Sequence, residues 1–197
     1  MMIGILLAAG FSKRFGAEDK LVQTLPDGRI MAVAAAKNML VALPSCIAVV
    51  RDGNFPLADM LSTIGCQVVF CDASATEMAQ SLTTAVHAIN ALPFEKSLHT
   101  GCIIALADMP FIQPETIRLV ANTLQTNGHV VMPTYQGRRG HPVGFSADYF
   151  PELLEVTGDE GARAVVQRHQ DRVTLVACDD AGILQDIDTK AALQALS

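Results

Sequence analysis

Residues 1–21 read MMIGILLAAGFSKRFGAEDKL. An apolar run, Ile3 to Ala9, stops at Gly10 and is followed by Ser12, Lys13, Arg14, Gly16 and Lys20. A hydrophobic segment that runs straight into small residues and cations admits three readings: a signal peptide, a dinucleotide-binding turn, or a loop that grips a triphosphate. A signal peptide needs its cations ahead of a longer apolar run. Here the cations follow a short one, so residues 3 to 8 read as a buried central strand.

Outward from that strand the pattern alternates. Apolar runs of strand length lie at 3–8, 46–51, 67–71, 102–107, 129–133 and 173–178. Segments with helical periodicity lie between most of them, at 31–43, 56–64, 77–92 and 114–126. Continuous apolar strands separated by helices indicate a parallel sheet covered on both faces. The expectation is an α/β fold: one three-layer, doubly wound, Rossmann-like domain over residues 1–197, mostly parallel, with a turn-rich β excursion near 135–145. Pro114 fits the first turn of its helix, with Glu115 favourable near that N-terminus. Asp159 is expected to cap a helix over about 161–169, and Thr189 one ending near 196.

Composition narrows the function. Half of the 197 residues are hydrophobic, and 17% are charged, which suits a packed globular chain. The net charge is −6 and the basic residues form no long runs, so neither a nucleic acid nor a membrane surface is an expected partner. Five cysteines, an odd number without a CxxC pair, read as free thiols of a reducing cytoplasm.

The loop at 8–16 has neither the GxGxxG of a dinucleotide turn nor the GxxxxGK[ST] of a P-loop. It keeps the physics of both. Small residues allow close backbone approach, N–H groups can face phosphate oxygens, Arg14 can clamp phosphate in a fork, and Lys20 can supply a point charge. An ordinary strand-to-helix turn with surface cations is the alternative. Asp108, just past the strand at 102–107, would project into the same rim, because ligands in open α/β sheets sit beyond the carboxyl ends of the strands. It is a ligand type suited to Mg²⁺, or else a turn residue. Gly137-Arg138-Arg139-Gly140-His141-Pro142-Val143-Gly144 is turn-rich. Its Arg pair suits an anionic ligand, whereas no other histidine sits at ligand spacing with His141.

These stretches together resemble the small nucleotidyltransferases, most of all the molybdenum cofactor cytidylyltransferases. LLAAGFSKRFGAEDKL is similar to their LAAGxSxRMGxxK signature, with Phe15 in place of Met and one extra residue before Lys20. Asp108-Met109-Pro110 resembles their DxP element and residues 137–143 their G-x-x-G-[HN]-P-V segment. Residues 158–163 (GDEGAR) and 186–189 (DIDT) resemble C-terminal elements of the same family. Met78-Ala79-Gln80-Ser81-Leu82 is similar to their GMxxSL segment, with Glu77 in place of Gly and Ala85 where a second Gly is common.

The resemblance implies transfer of CMP from CTP to the phosphate of a molybdopterin-type cofactor. It implies a nucleotide site from Leu7, Ala8, Ala9, Gly10, Ser12, Arg14, Lys20, Met78 and Ser81, with Arg14, Lys20 and Asp108 catalytic. Mg²⁺ would be held by Asp108 and Asp188. The acceptor would meet Arg138, Arg139, Gly140, His141, Asp159 and Arg163. Asp188 could instead flank a strand end, and Asp159 and Arg163 could be a cap and a helix-face charge. Ala9, where guanylyl members carry Gly, is expected to place a methyl near the base and so to favour CTP. A molybdoenzyme or chaperone would be a further partner. A GTP-dependent transferase, one with another phosphorylated acceptor, and a non-catalytic delivery protein are the alternatives.

Overall fold

The first apolar run forms strand β1 (Met2–Ala8), buried along nearly its whole length. It pairs in parallel with β2 (Cys46–Arg51) on one side and β4 (Gly101–Leu106) on the other. The computed structural model describes residues 2–10, 15, 19–74, 77–92 and 100–196. Strand β3 (Gln67–Cys71) extends the sheet beyond β2, again in parallel. On the far side lie β5 (Val130–Tyr135) and β8 (Val173–Ala177), parallel to each other.

Side chains on successive positions of β1 serve opposite faces. Leu6 and Ala8 enter an apolar cluster with α1 (Met31–Ala42), α2 (Phe55–Thr63) and α4 (Pro114–Asn127). Ile3 and Ile5 enter another with α3 (Met78–Asn90), α5 (Phe150–Leu154) and α6 (Ala162–Arg168). Burial of each of Ile3, Ile5 and Leu6 stabilises the fold by about 1.5–3 kcal/mol. The fold is therefore the expected α/β sandwich, Rossmann-like and mostly parallel.

The excursion near 135–145 is structural. A two-residue turn, Gln136 and Gly137, both at positive φ, closes a hairpin from β5 to β6 (Arg138–Arg139). After the cis His141–Pro142 peptide, β7 (Val143–Ser146) runs antiparallel between β4 and β5. The crossover through α4 thus skips one place in the sheet, and the chain returns to fill it. Strands β3 and β8 are less buried than their apolar runs suggest, because among the described residues β3 pairs only with β2 and β8 only with β5.

Two further differences are local. The short α5, with Pro151 in its first turn, has no counterpart in the expected elements. Asp159 does not cap α6: Gly161 occupies the cap position and no side chain bonds there. Thr189 does cap α7 (Lys190–Gln194), its Oγ1 accepting from Ala192 N at 3.0 Å. Pro114 and Glu115 sit in the first turn of α4 as expected. All five cysteines are free. Among the described residues no helix is long and apolar enough to cross a membrane.

Candidate active site

Asp108 stands just beyond β4, on the rim that the carboxyl ends of β1 and β4 share. Ala107 N donates to Leu7 O at 3.1 Å, which carries the β1–β4 pairing past the end of β4. Met109 N then donates back to Leu106 O at 3.2 Å and turns the chain. From α1, Asn38 Nδ2 donates to Pro110 O at 3.0 Å and Ile112 O at 2.9 Å, holding that turn. Ile187 N donates to Asp108 O at 3.0 Å. This one backbone bond lays residues 186–188 alongside the turn and brings Asp188 to Asp108.

Between the two carboxylates lies Lys20. Its Nζ donates to Asp108 Oδ2 at 2.6 Å and to Asp188 Oδ1 at 2.8 Å. Lys20 is only 8% exposed. Burial alone would lower its pKa, but the charges and hydrogen bonds of Asp108 and Asp188 outweigh it, and the net shift is upward. The extra residue before Lys20 does not prevent its reaching the site. Its neighbours are well anchored. Asp19 Oδ1 accepts from Leu21 N at 2.9 Å, and Asp19 Oδ2 from Asn54 Nδ2 at 2.7 Å. Gln23 Nε2 donates to Asp19 O at 3.0 Å.

The donor set fits a hard divalent cation. Two carboxylates already converge on one cationic group, and Asp108 Oδ1 is buried without a hydrogen-bond partner among the described residues. Among the described residues no cluster of three or more His, Cys, Asp or Glu is grouped for a metal. Substrate oxygens and water would have to complete the shell, as is usual for Mg²⁺.

A cavity of about 720 Å³ opens at the same end of the sheet; Lys20, Asp108 and Asp188 do not line it, and its link to them is His141, which feels the Asp108 charge. Leu7, Ile104, Leu106, Met132 and Val143 form its apolar floor, on the strands. Arg139, His141, Asp159, Glu160, Arg163, Gln167 and Gln170 supply its polar walls. Of the residues named from sequence, Leu7, Met78, Arg139, His141, Asp159 and Arg163 thus meet in one space. Arg138 is not among the lining residues; as β6 neighbours, it and Arg139 point to opposite faces. The Nδ1 of His141 is buried with no partner among the described residues. Burial lowers the pKa of His141, and the Asp108 charge, the Ile104 backbone and Asp186 only partly offset that.

Other named residues take structural places. Gly140 is buried where a Cβ would lie 2.4 Å from Ile183 O. Ser81 is buried in α3, its hydroxyl against the Cys71 thiol. Ala9 is only 5% exposed, and its methyl belongs to the buried cluster beneath α3. The expectation that it abuts the base therefore loses its physical footing. Ala8 is buried on the opposite face, and Gly10 is exposed. Ser12 and Arg14 lie outside the described residues.

Three supporting arrangements were not singled out from sequence. An Arg51 guanidinium N–H donates to Ala9 O and fixes the exit of β1. Asp180, 2% exposed, accepts from Gln113 N at 2.9 Å, Thr116 Oγ1 at 2.7 Å and Gly182 N at 3.0 Å. Glu77 and Gln80 form a capping box, and Glu77 Oε2 also accepts from Gly158 N at 2.9 Å. Gln80 at the third helical position is the half of the usual capping-box signal that the sequence carries, with Glu77 in place of the usual Ser or Thr. Arg51 has no local mark, and Asp180 has only its cap to Gly182 N; their other partners are distant in sequence.

A family model described as "MobA-like NTP transferase domain" matches residues 4–173. The chain belongs to this family. This NTP transferase domain is 25% identical, over 95% of its length and 92% of the relative's, to the purine catabolism protein PucB of Bacillus subtilis. It shares the fold of Rv0371c from Mycobacterium tuberculosis, with TM-score 0.82, 24% identity, and 99% and 96% of the two chains covered. A second structure of Rv0371c is a complex with manganese, with TM-score 0.79. A nucleotidyl transferase from Methanothermobacter thermautotroptrophicus aligns with TM-score 0.78 and 20% identity, over 100% and 95% of the two chains. The chain is thus a nucleotidyltransferase domain that binds a nucleoside triphosphate.

Proposed function

We propose that this chain transfers CMP from CTP to the phosphate of a molybdopterin-type cofactor and releases pyrophosphate, with Mg²⁺ as its metal. The observation that carries the reading is the convergence of Asp108 and Asp188 on Lys20, supported by a cavity whose polar wall holds Arg139, Arg163 and His141, the last within reach of the Asp108 charge. In the reaction, a phosphate oxygen of the acceptor attacks the α-phosphorus of the nucleotide. The bond from that phosphorus to the bridging oxygen breaks, and pyrophosphate carries the electron pair away.

Such a step needs positioning and charge neutralisation more than a covalent nucleophile. Asp108 and Asp188 would hold Mg²⁺, which supplies charge neutralisation at the phosphate oxygens. The Lys20 ammonium, with Arg14 by resemblance, would bind the triphosphate. Arg139 and Arg163 would hold the acceptor phosphate, with His141, Asp159 and Glu160 on the polar edge of the acceptor. The apolar floor of Leu7, Ile104 and Leu106 would seat a planar ring and exclude water. The CTP preference rests on the resemblance of Ala8-Ala9-Gly10 to the cytidylyl members. The free cysteines accord with a cytoplasmic protein, and one transferase domain would span residues 1–197.

The test is pyrophosphate release with each of four nucleoside triphosphates, with and without purified molybdopterin cofactor. Release that requires both CTP and the cofactor supports the proposal. Release with GTP or another phosphorylated acceptor redirects it within the same chemistry. Nucleotide binding without release under any pairing refutes catalysis.

A further inference from the structure

The position of Lys20 conflicts with its role as a triphosphate ligand. Its ammonium lies 2.6 Å and 2.8 Å from the carboxylate oxygens that would hold the metal. A divalent cation bound by one or both carboxylates would press against that ammonium. The two carboxylates and the Lys20 ammonium sum to −1, and with a divalent cation in place of the ammonium the sum is zero. With both cations present, like charges stand side by side in a largely buried place, where water screens them poorly. The backbone around Lys20 is held by the Asp19 bonds to Leu21, Asn54 and Gln23. Relief must come from the side chain, a flexible four-carbon stem.

We infer that Lys20 is an internal stand-in for the metal: it pairs with Asp108 and Asp188 in the metal-free protein and leaves them when a divalent cation enters. This rests on the metal role of Asp108 and Asp188 proposed above. The displaced ammonium is then the charge that meets the triphosphate. Metal and nucleotide therefore reinforce each other, because each draws Lys20 in the same direction. The pairing also explains how two carboxylates are kept together without metal, where they would otherwise repel.

Mn²⁺ binding, read by electron paramagnetic resonance of the free ion in the absence of nucleotide, tests this on the full chain. Lys20→Met is expected to bind Mn²⁺ about tenfold or more tighter than wild type, within the range of ordinary coupling between sites. Lys20→Arg, which keeps a cation at the pair, should stay near wild type. Asp108→Asn should abolish the tight binding in the Lys20→Met background. Equal affinity in wild type and Lys20→Met, with binding still lost in Asp108→Asn, overturns the stand-in role and leaves the metal assignment intact. Binding that ignores Asp108 in every variant removes both. A measurement on the wild type covers the case in which Lys20→Met does not fold. The ¹⁵N resonance of the Lys20 ammonium should shift on Mg²⁺ titration. A resonance that stays put while Mg²⁺ binds through Asp108 refutes the exchange.

Discussion

Replacing Gly140 by alanine separates close packing from backbone conformation. A Cβ on Gly140 would lie 2.4 Å from Ile183 O, 2.8 Å from Ile183 Cγ1 and 2.9 Å from Ile183 C. Two of these are backbone atoms, so no side-chain rotation relieves the clash. The segment would have to move apart, and the bond from His141 N to Ile183 O at 3.0 Å would stretch or break. Overpacking costs about 1–3 kcal/mol, and a lost hydrogen bond costs about 1 kcal/mol more. The sum is about 2–4 kcal/mol. In a chain of this size each kcal/mol lowers Tm by roughly 2–4 °C, so a fall of about 4–16 °C is expected. Gly137, three residues earlier, is the control. It has φ of 76° and nothing within 4 Å of its added Cβ. Gly137→Ala should cost only its left-handed strain, about 1 kcal/mol and roughly 2–4 °C. Scanning calorimetry on the two variants decides the matter. A Gly140→Ala loss no greater than that of Gly137→Ala would refute the packing argument. The displaced Ile183 segment leads to Asp188, so Gly140→Ala should also lose activity at temperatures where it remains folded.

Asp108→Asn is expected to keep its circular dichroism spectrum yet lose turnover by about a thousandfold or more, since metal charge stabilisation is worth several kcal/mol; near-normal activity would sink the metal assignment. Ala9→Gly should leave the CTP to GTP ratio of kcat/KM unchanged, because the methyl is buried under α3. It should cost about 1 kcal/mol of stability in denaturant titration, from lost burial and a freer chain; a shifted ratio would restore a steric role for Ala9. Burial pushes the Cys102 thiol up to about 12. An unfolded thiol titrates near 8.5, so the unfolded chain releases its proton first, and the stabilisation present below that pH is lost as pH rises toward 12. Urea unfolding of Cys102→Ala should therefore show a stability gap from wild type that narrows by about 2 kcal/mol between pH 8 and pH 10; a constant gap would contradict the shift.

The sequence by itself determined the parts of this protein that depend on local pattern. The unbroken apolar runs of β1, β2 and β4 announce strands covered on both faces, because every side chain of such a strand meets a helix layer. The period of α4, the proline in its first turn and the Thr189 cap are local in the same way. The rim position of Asp108 follows from where its strand ends. Tertiary structure alone decided which distant pieces meet. Strand β7 enters between β4 and β5 through long-range pairing, for which Val143–Ser146 carries no local sign. Asp188 reaches Asp108 through the Ile187 N to Asp108 O bond and the Lys20 ammonium that both carboxylates share. Arg139 faces the cavity and Arg138 does not, because a two-residue strand alternates its sides. Asp159 reads as a cap in sequence, but its loop carries it to the cavity wall and leaves Gly161 at the helix start. The common reason is physical: periodicity and capping record how a residue meets its own neighbours, whereas a site made by several strand ends exists only after the sheet has ordered them.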